Sequence, residues 1–273
     1  MITAAKLAAA ALLLMLGAAQ AAPDPRRPAP TFDRVPPELP ALARPAVLIV
    51  SKTNSYRHDS IAAAVPAIEA LAKARGWASF ATENAAVFNA RDLAKFDVIV
   101  FANASGDIYT PDQRDAFRAW IASGGGFVGL HSAGDGSHPD WFVKMRGNGR
   151  FTGHPGGADQ FQAAELIVRE RDHPATRHLP TRWRWTDEYY SWDAPPAADT
   201  HILASLDEST LRLDPKYRMG AGHALIWWRC EGRARIFYSA LGHRAEAWSD
   251  AAHLKMLDGA IGWAARAEGT SCD

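Results

Sequence analysis

Five histidines stand where apolar runs end or where glycine turns the chain, and those placements could support chemistry. His131 closes the run Gly126-Phe127-Val128-Gly129-Leu130 and leads into Ser132-Ala133-Gly134-Asp135. His58 follows the run 46–50 within Tyr56-Arg57-His58-Asp59, and His243 ends Leu241-Gly242-His243. His154 and His223 each come directly after a glycine, where backbone can approach a ligand closely. Two adjacent carboxylates, Asp187-Glu188, precede Tyr189-Tyr190 in a stretch flanked by Trp183, Trp185 and Trp192. Imidazoles and carboxylates together transfer protons near neutral pH or ligate a divalent metal. The candidate metal ligands are His58, His131, His154 and His243, but no pair has the H-E-x-x-H or C-x-x-C spacing of a local metal motif. His138, His173, His178, His201 and His253 read as structural.

The segment around His131 admits three readings. Leu130-His131-Ser132-Ala133-Gly134 is similar to the G-H-S-x-G elbow of lipases and esterases with its first Gly replaced. Ser132 would then be a nucleophile, with Asp187 and His243 following in a workable order. Taking Gly129 as the leading glycine instead puts His131 at the tip. That register matches the Gly-Ile-Cys turn of class I glutamine amidotransferases with Cys exchanged for His. It excludes thiol-based amide hydrolysis and leaves His131 as acid, base or metal ligand. In the third reading His131 only hydrogen-bonds nearby backbone. Leu130 counts against the first reading, because that position must let the elbow close.

These residues need a scaffold that aligns strand ends. Ala46-Val47-Leu48-Ile49-Val50 is a continuous apolar run suited to a central parallel strand. A helical pattern capped by Ser60 runs through Ile61, Val65, Ile68 and Leu71 to Arg75-Gly76. Strands follow at 77–80, 97–102 and 126–130, with a helix between the last two opened by Pro111 and closed by Gly124. Strands alternating with helices predict an α/β, doubly wound, mainly parallel sheet, of the class I glutamine amidotransferase-like or flavodoxin-like kind. Parallel strands point their ends the same way, so His58, His131 and His243 are expected to converge at one carboxyl edge. The C-terminal half reads as strands at 164–168, 201–205, 224–228 and 235–241 with elaborated loops, then a helix over 250–265.

Composition narrows the partners. The 273 residues carry 30 Lys+Arg against 30 Asp+Glu, which gives no electrostatic case for nucleic acid or an anionic membrane. Ten Trp and ten His, many in polar and Gly-rich contexts, suit sugar stacking or metal binding. Lys6, the apolar run 7–16 and Ala19-Gln20-Ala21 form a signal-peptide pattern over 1–21, so a secreted or periplasmic protein is expected, free of the membrane after cleavage. A Pro-rich linker over 22–45 should be extended and poorly packed. The domain spans 46–266, with a tail at 267–273. Cys230 and Cys272 are the two cysteines, and an oxidising compartment permits their pairing without requiring it.

From Val47 to Ala265 the chain resembles the ThuA-like family, named for a trehalose-utilisation protein. The matching pieces are Ser51-Lys52-Thr53 through His58, Asn103 to Asp107, Gly124 to Asp135, Gly153-His154-Pro155 and His173-Pro174. They continue with Asp187-Glu188-Tyr189-Tyr190, Gly222-His223, Ile226-Trp227 and Phe237 to His243, while Ala224 stands where members usually show Pro. The resemblance implies a class I glutamine amidotransferase-like fold without the catalytic Cys, and a role in carbohydrate metabolism on a small saccharide or keto-saccharide. The expected catalytic group is His131, His243, Asp187 and Glu188. His58, Asp135, His154, Tyr190, His223 and Trp227 are expected around the substrate, and a divalent metal is a candidate cofactor. A non-catalytic periplasmic sugar-binding module, with tryptophans stacking on sugar faces, is the alternative of a different class. The Ser132 hydrolase is the other.

Overall fold

The computed structural model describes residues 24–269 and Cys272. The expected signal peptide lies outside the described residues. In chain order the elements are β1 (Ala46–Val50), α1 (Ile61–Ala74), β2 (Ala78–Thr82), α2 (Ala90–Leu93), β3 (Val98–Ala102), α3 (Pro111–Ala122), β4 (Gly126–Leu130) and α4 (Asp140–Arg146). They continue with β5 (Phe151–Gly153), β6 (Gln162–Val168), β7 (Arg182–Asp187), β8 (Ser191–Trp192), β9 (His201–Leu206), β10 (Ala224–Glu231), β11 (Ala234–Ser239) and α5 (Ala251–Ala264).

Among the described residues, nine strands form one sheet in the order β2-β1-β3-β4-β11-β10-β9-β6-β7. The first five run parallel. Every residue of β1, β3 and β4 is buried, because helices cover both faces and an apolar run without alternation is what such strands require. Helices α1 and α5 pack on each other and on the sheet. Helices α3 and α4 bring Phe117 and Phe142 onto Phe101 and Phe127. Gly126 has no room for a Cβ, which would collide with the Ala264 backbone; the glycine lets α5 close on β4. The α/β, doubly wound class expected from the sequence is the one the chain adopts.

Strands β10, β9, β6 and β7 extend the sheet antiparallel. Residues 182–187, to which the sequence pattern assigns no strand, form the edge strand β7. Its burial alternates, with Trp183, Trp185 and Asp187 facing inward and Arg182 and Arg184 exposed. Residues 24–45 form no regular element and are mostly exposed. They are not detached, however. The Asp33 carboxylate accepts from Ala85 N at 2.8 Å and pairs with Lys52 Nζ at 2.8 Å, and its carbonyl accepts from Gln113 Nε2 at 2.6 Å. Cys230 and Cys272 form a disulfide with Cα atoms 5.5 Å apart. No described helix is long and apolar enough to cross a membrane.

Candidate functional site

Strand β4 ends at Leu130, and His131 begins a tight turn with φ +43°, a left-handed conformation rare for a residue with a Cβ. Both its backbone and its ring are tied down. Tyr238 Oη donates to the His131 carbonyl at 2.7 Å, and His131 Nδ1–H donates to the Ala240 carbonyl at 2.8 Å. The second bond fixes the ring proton on Nδ1, so a neutral His131 presents the Nε2 lone pair to whatever lies opposite. Tyr190 Oη lies 3.0 Å from that nitrogen, and His243 Nδ1 also lies 3.0 Å away.

His243 is set by the end of β11. Gly242 takes φ +108°, and its carbonyl collects Asn103 Nδ2, Ser60 Oγ and Trp248 Nε1. Asp187, the last residue of β7, accepts the Gly242 N–H at 2.8 Å and the His243 N–H at 3.2 Å. It also accepts from its neighbour's backbone, Glu188 N, and from Trp185 Nε1, so four N–H donors surround one buried carboxylate. Glu188 turns away from this group. Its Oε2 lies 3.1 Å from His243 Nδ1 and 3.5 Å from His131 Nε2, while Oε1 accepts from Gln160 Nε2 at 2.7 Å and faces His154 Nδ1 at 3.2 Å.

The convergence expected of the three strand-end histidines is present. The His58 ring centroid lies 4.7 Å from both His131 and His243, and those two lie 4.9 Å apart. His58 is 5% exposed, and its Nδ1 has no hydrogen-bond partner in the protein. Above the cluster opens a pocket of about 510 Å³, lined by His58, His243, Glu188, Tyr190, His154 and Asp135 among others. His131 is fully buried and lies beneath these residues. The tip of the elbow therefore supports the pocket floor.

Charges at the floor are strongly coupled. Burial opposes ionisation of Glu188, but its hydrogen bonds to His131 and His243 hold the carboxyl well below the usual carboxylate range. Burial is likewise the largest influence on His131 and opposes its protonation, but the bond and charge of Glu188, the charge of Asp187 and the Ala240 carbonyl together outweigh it, so the ring is more basic than usual. His58 is pushed down to about 2 by burial and then by its two histidine neighbours. Burial, followed by the charge of Glu188, pushes the Tyr190 phenol well up.

The remaining sequence-named residues divide. Asp135 lines the pocket and accepts from the Ser137 backbone at 2.9 Å, and His154 also bonds the Pro155 carbonyl at 2.8 Å. His223 is buried behind the site, bridging Glu208 Oε1 and the Tyr190 carbonyl at 2.8 Å each. Trp227 is core, its Nε1 donating to the Arg146 carbonyl at 2.7 Å. Among the described residues no tryptophan lines the pocket, so indoles do not form the stacking platform expected of a binding module there; Tyr56, Phe151 and Tyr190 are aromatic walls. Ser132 is fully buried, and its Oγ has no partner, histidine or otherwise, which leaves the esterase register without an activated nucleophile. His138 stacks on Phe142, His201 stacks on Trp228 and His253 stacks on Trp185, all outside the pocket. Gln160, unremarked in the sequence, joins the site through Glu188; nothing in its surroundings along the chain signals this.

A family model described as ThuA, trehalose utilisation, matches residues 46–264. Among solved structures, the chain is similar to a putative ThuA-like protein from Bacteroides uniformis. That match has TM-score 0.67 and 23% identity, covering 85% of this chain and 95% of that one. A putative ThuA-like protein from Parabacteroides merdae matches with TM-score 0.62 and 21% identity, covering 83% and 91%. A cytoplasmic protein from Salmonella typhimurium shares the fold at TM-score 0.53 and 11% identity, covering 80% and 98%. No curated protein matches the chain.

Proposed function

The chain belongs to the ThuA, trehalose-utilisation family, and on that premise we propose that it is an enzyme acting on a small saccharide or keto-saccharide outside the cytoplasm. The observation that carries this reading is the meeting of His243 and Glu188 at the floor of a pocket of about 510 Å³. A pocket of that size is at the small-ligand end of the usual range. An imidazole beside an ionised carboxylate can take a proton from carbon next to a carbonyl, the step common to keto-sugar isomerisation and elimination. The proton moves to the enzyme, the C–H electrons enter the carbon–carbon bond, and the carbonyl oxygen gains the charge. Tyr190 and the imidazoles supply hydrogen-bond donors near that oxygen, and His154, Asp135 and Gln160 offer partners for sugar hydroxyls. With His131 at the nucleophile position of the amidotransferase-like elbow, thiol-dependent glutamine hydrolysis is excluded. The Cys230–Cys272 disulfide and the N-terminal signal pattern support an extracytoplasmic location.

The test is solvent exchange. Incubating 3-keto glycosides in D2O with the protein should place deuterium at the carbon beside the carbonyl, with or without net product. His243→Ala and Glu188→Gln should each reduce exchange by about 10²–10⁴-fold. Saturable binding of the same sugars with no exchange and no product would instead identify a binding protein.

A further inference from the structure

We propose that His58, His131, His243 and Glu188 together bind one divalent transition-metal ion of the zinc class. The inference deepens the reading of the pocket as a sugar site and rests on that reading only for what the ion would polarise. One nitrogen or oxygen from each of the four residues lies within 4.8 Å of all the others. Bonds of about 2 Å to nitrogen and oxygen set ligand atoms roughly 3–4 Å apart, so the most widely spaced pair would need to close by about 1–2 Å.

Hydrogen bonding within the cluster leaves work for a cation. His131 Nδ1–H is committed to the Ala240 carbonyl, so a neutral His131 has a single lone pair, on Nε2. Two groups crowd that lone pair at 3.0 Å, the Tyr190 hydroxyl and His243 Nδ1. Meanwhile His58, 5% exposed and edge-on to both other rings, has a ring nitrogen with no partner. A buried imidazole nitrogen without a partner, as His58 has, is costly to maintain unless something else binds it. An ion would use His131 Nε2, the unpartnered His58 and Glu188 at once. The backbone bond on the far side of His131 is the kind of outer-shell contact that orients a metal-bound imidazole. This also explains why a fully buried histidine occupies the elbow. His131 is walled off from the pocket, yet an ion held between it and the pocket-lining His243 and Glu188 would face the ligand. Three imidazoles and one carboxylate favour zinc and its first-row neighbours over calcium or magnesium, which prefer oxygen. His154 is excluded from the set because its Nδ1 faces the other Glu188 oxygen and the Pro155 carbonyl.

The experiment begins with chelator-stripped, otherwise intact protein and titrates it with Zn2+ alone by calorimetry, then with Co2+ followed by visible absorption. One equivalent should bind at micromolar concentration or below, with proton release, and Co2+ should give ligand-field bands of a histidine-rich site. His58→Ala and His131→Ala, each verified as folded by circular dichroism, should weaken Zn2+ binding by more than the 10–100-fold usual for losing an outer partner. His154→Ala should stay within that range. X-ray absorption of the Co2+-loaded wild type reports histidine ligation independently of any variant. Absence of stoichiometric binding by the wild type, or binding indifferent to both His58→Ala and His131→Ala, overturns the site. Two further results separate this inference from the sugar reading. Metal binding without sugar turnover leaves the site standing and removes the enzyme, whereas keto-sugar exchange by a wild type that binds no Zn2+ does the reverse.

Discussion

Asp187 holds His243 by its backbone: Asp187 Oδ1 accepts the His243 N–H at 3.2 Å, while the adjoining Gly242 N–H reaches Oδ2 at 2.8 Å. Two adjacent carboxylates thus have different placements, Asp187 inside the turn that carries His243 and Glu188 at the pocket floor. Asp187→Asn should therefore act first on stability. An amide NH2 replaces one accepting oxygen and confronts buried N–H donors, a loss of roughly 2–4 kcal/mol. Urea unfolding of Asp187→Asn and Glu188→Gln checks this. The first should shift the midpoint strongly, and the second should lose turnover with a smaller shift. The opposite ranking would place Asp187 in the chemistry.

Ser132→Ala removes a hydroxyl that is buried and makes no hydrogen bond, so nothing favourable is lost with it. Turnover should stay within about twofold, while His131→Ala loses about 10²–10⁴. Both variants are assayed on one keto-sugar panel after circular dichroism. An inactive Ser132→Ala beside a largely active His131→Ala would restore the esterase register.

The left-handed backbone of His131, φ +43°, gives a control for that experiment. Asparagine tolerates this conformation better than alanine, and the difference is about 1 kcal/mol. His131→Asn should consequently unfold at higher denaturant than His131→Ala, with both equally short of activity. Equal stabilities would mean the turn relaxes once the imidazole is gone.

The parallel half of the molecule was legible because β1, β3 and β4 are runs without polar residues, and His58 after β1, His131 after β4 and His243 after the parallel β11 inherit a shared edge. The antiparallel edge was less so. In β7, Trp183 and Trp185 alternate with arginines, and indoles in a polar context suggested sugar stacking. They are instead packed on each other with ring centroids 4.8 Å apart. Gly-His pairs illustrate the limit of local pattern. The same dipeptide yields a pocket-lining ring at His243 and a buried prop for Tyr190 at His223. What separates them is the partner across space, Glu188 in one case and Glu208 in the other, and neither is near in sequence. The Ala240 carbonyl that orients His131 is backbone, which residue types do not reveal.

The disulfide joins β10 to the residues after α5 over a separation of 42. Closing a loop of that length constrains the unfolded chain by about 4 kcal/mol in the entropic account. Cys230→Ser should lower the urea midpoint accordingly, and wild type under reductant should match the variant. No difference between oxidised and reduced wild type would show that the tail contributes nothing to the core's stability.

His253 makes acid stability a measurable property of α5. The ring is buried between Trp185, stacked at 5.3 Å, and Trp248, edge-on at 5.5 Å, and neither ring nitrogen has a partner in the protein. Burial pushes its pKa down to about 4, against the weaker opposing charges of Asp187 and Asp250. Between that value and the ordinary 6.5 the unfolded chain binds a proton that the folded chain refuses. Stability is therefore fully present above pH 6.5 and falls as pH drops towards 4. The loss is about 3 kcal/mol at about 1.4 kcal/mol per pH unit. His253→Leu keeps an apolar body between the two indoles and removes the titration. Its unfolding free energy should depend less on pH across this window than that of the wild type, with the two curves closest near neutral pH and diverging towards the acid end. Parallel curves from pH 7 to 4 would show that His253 is protonated in the folded protein and that its environment is more polar than this packing implies.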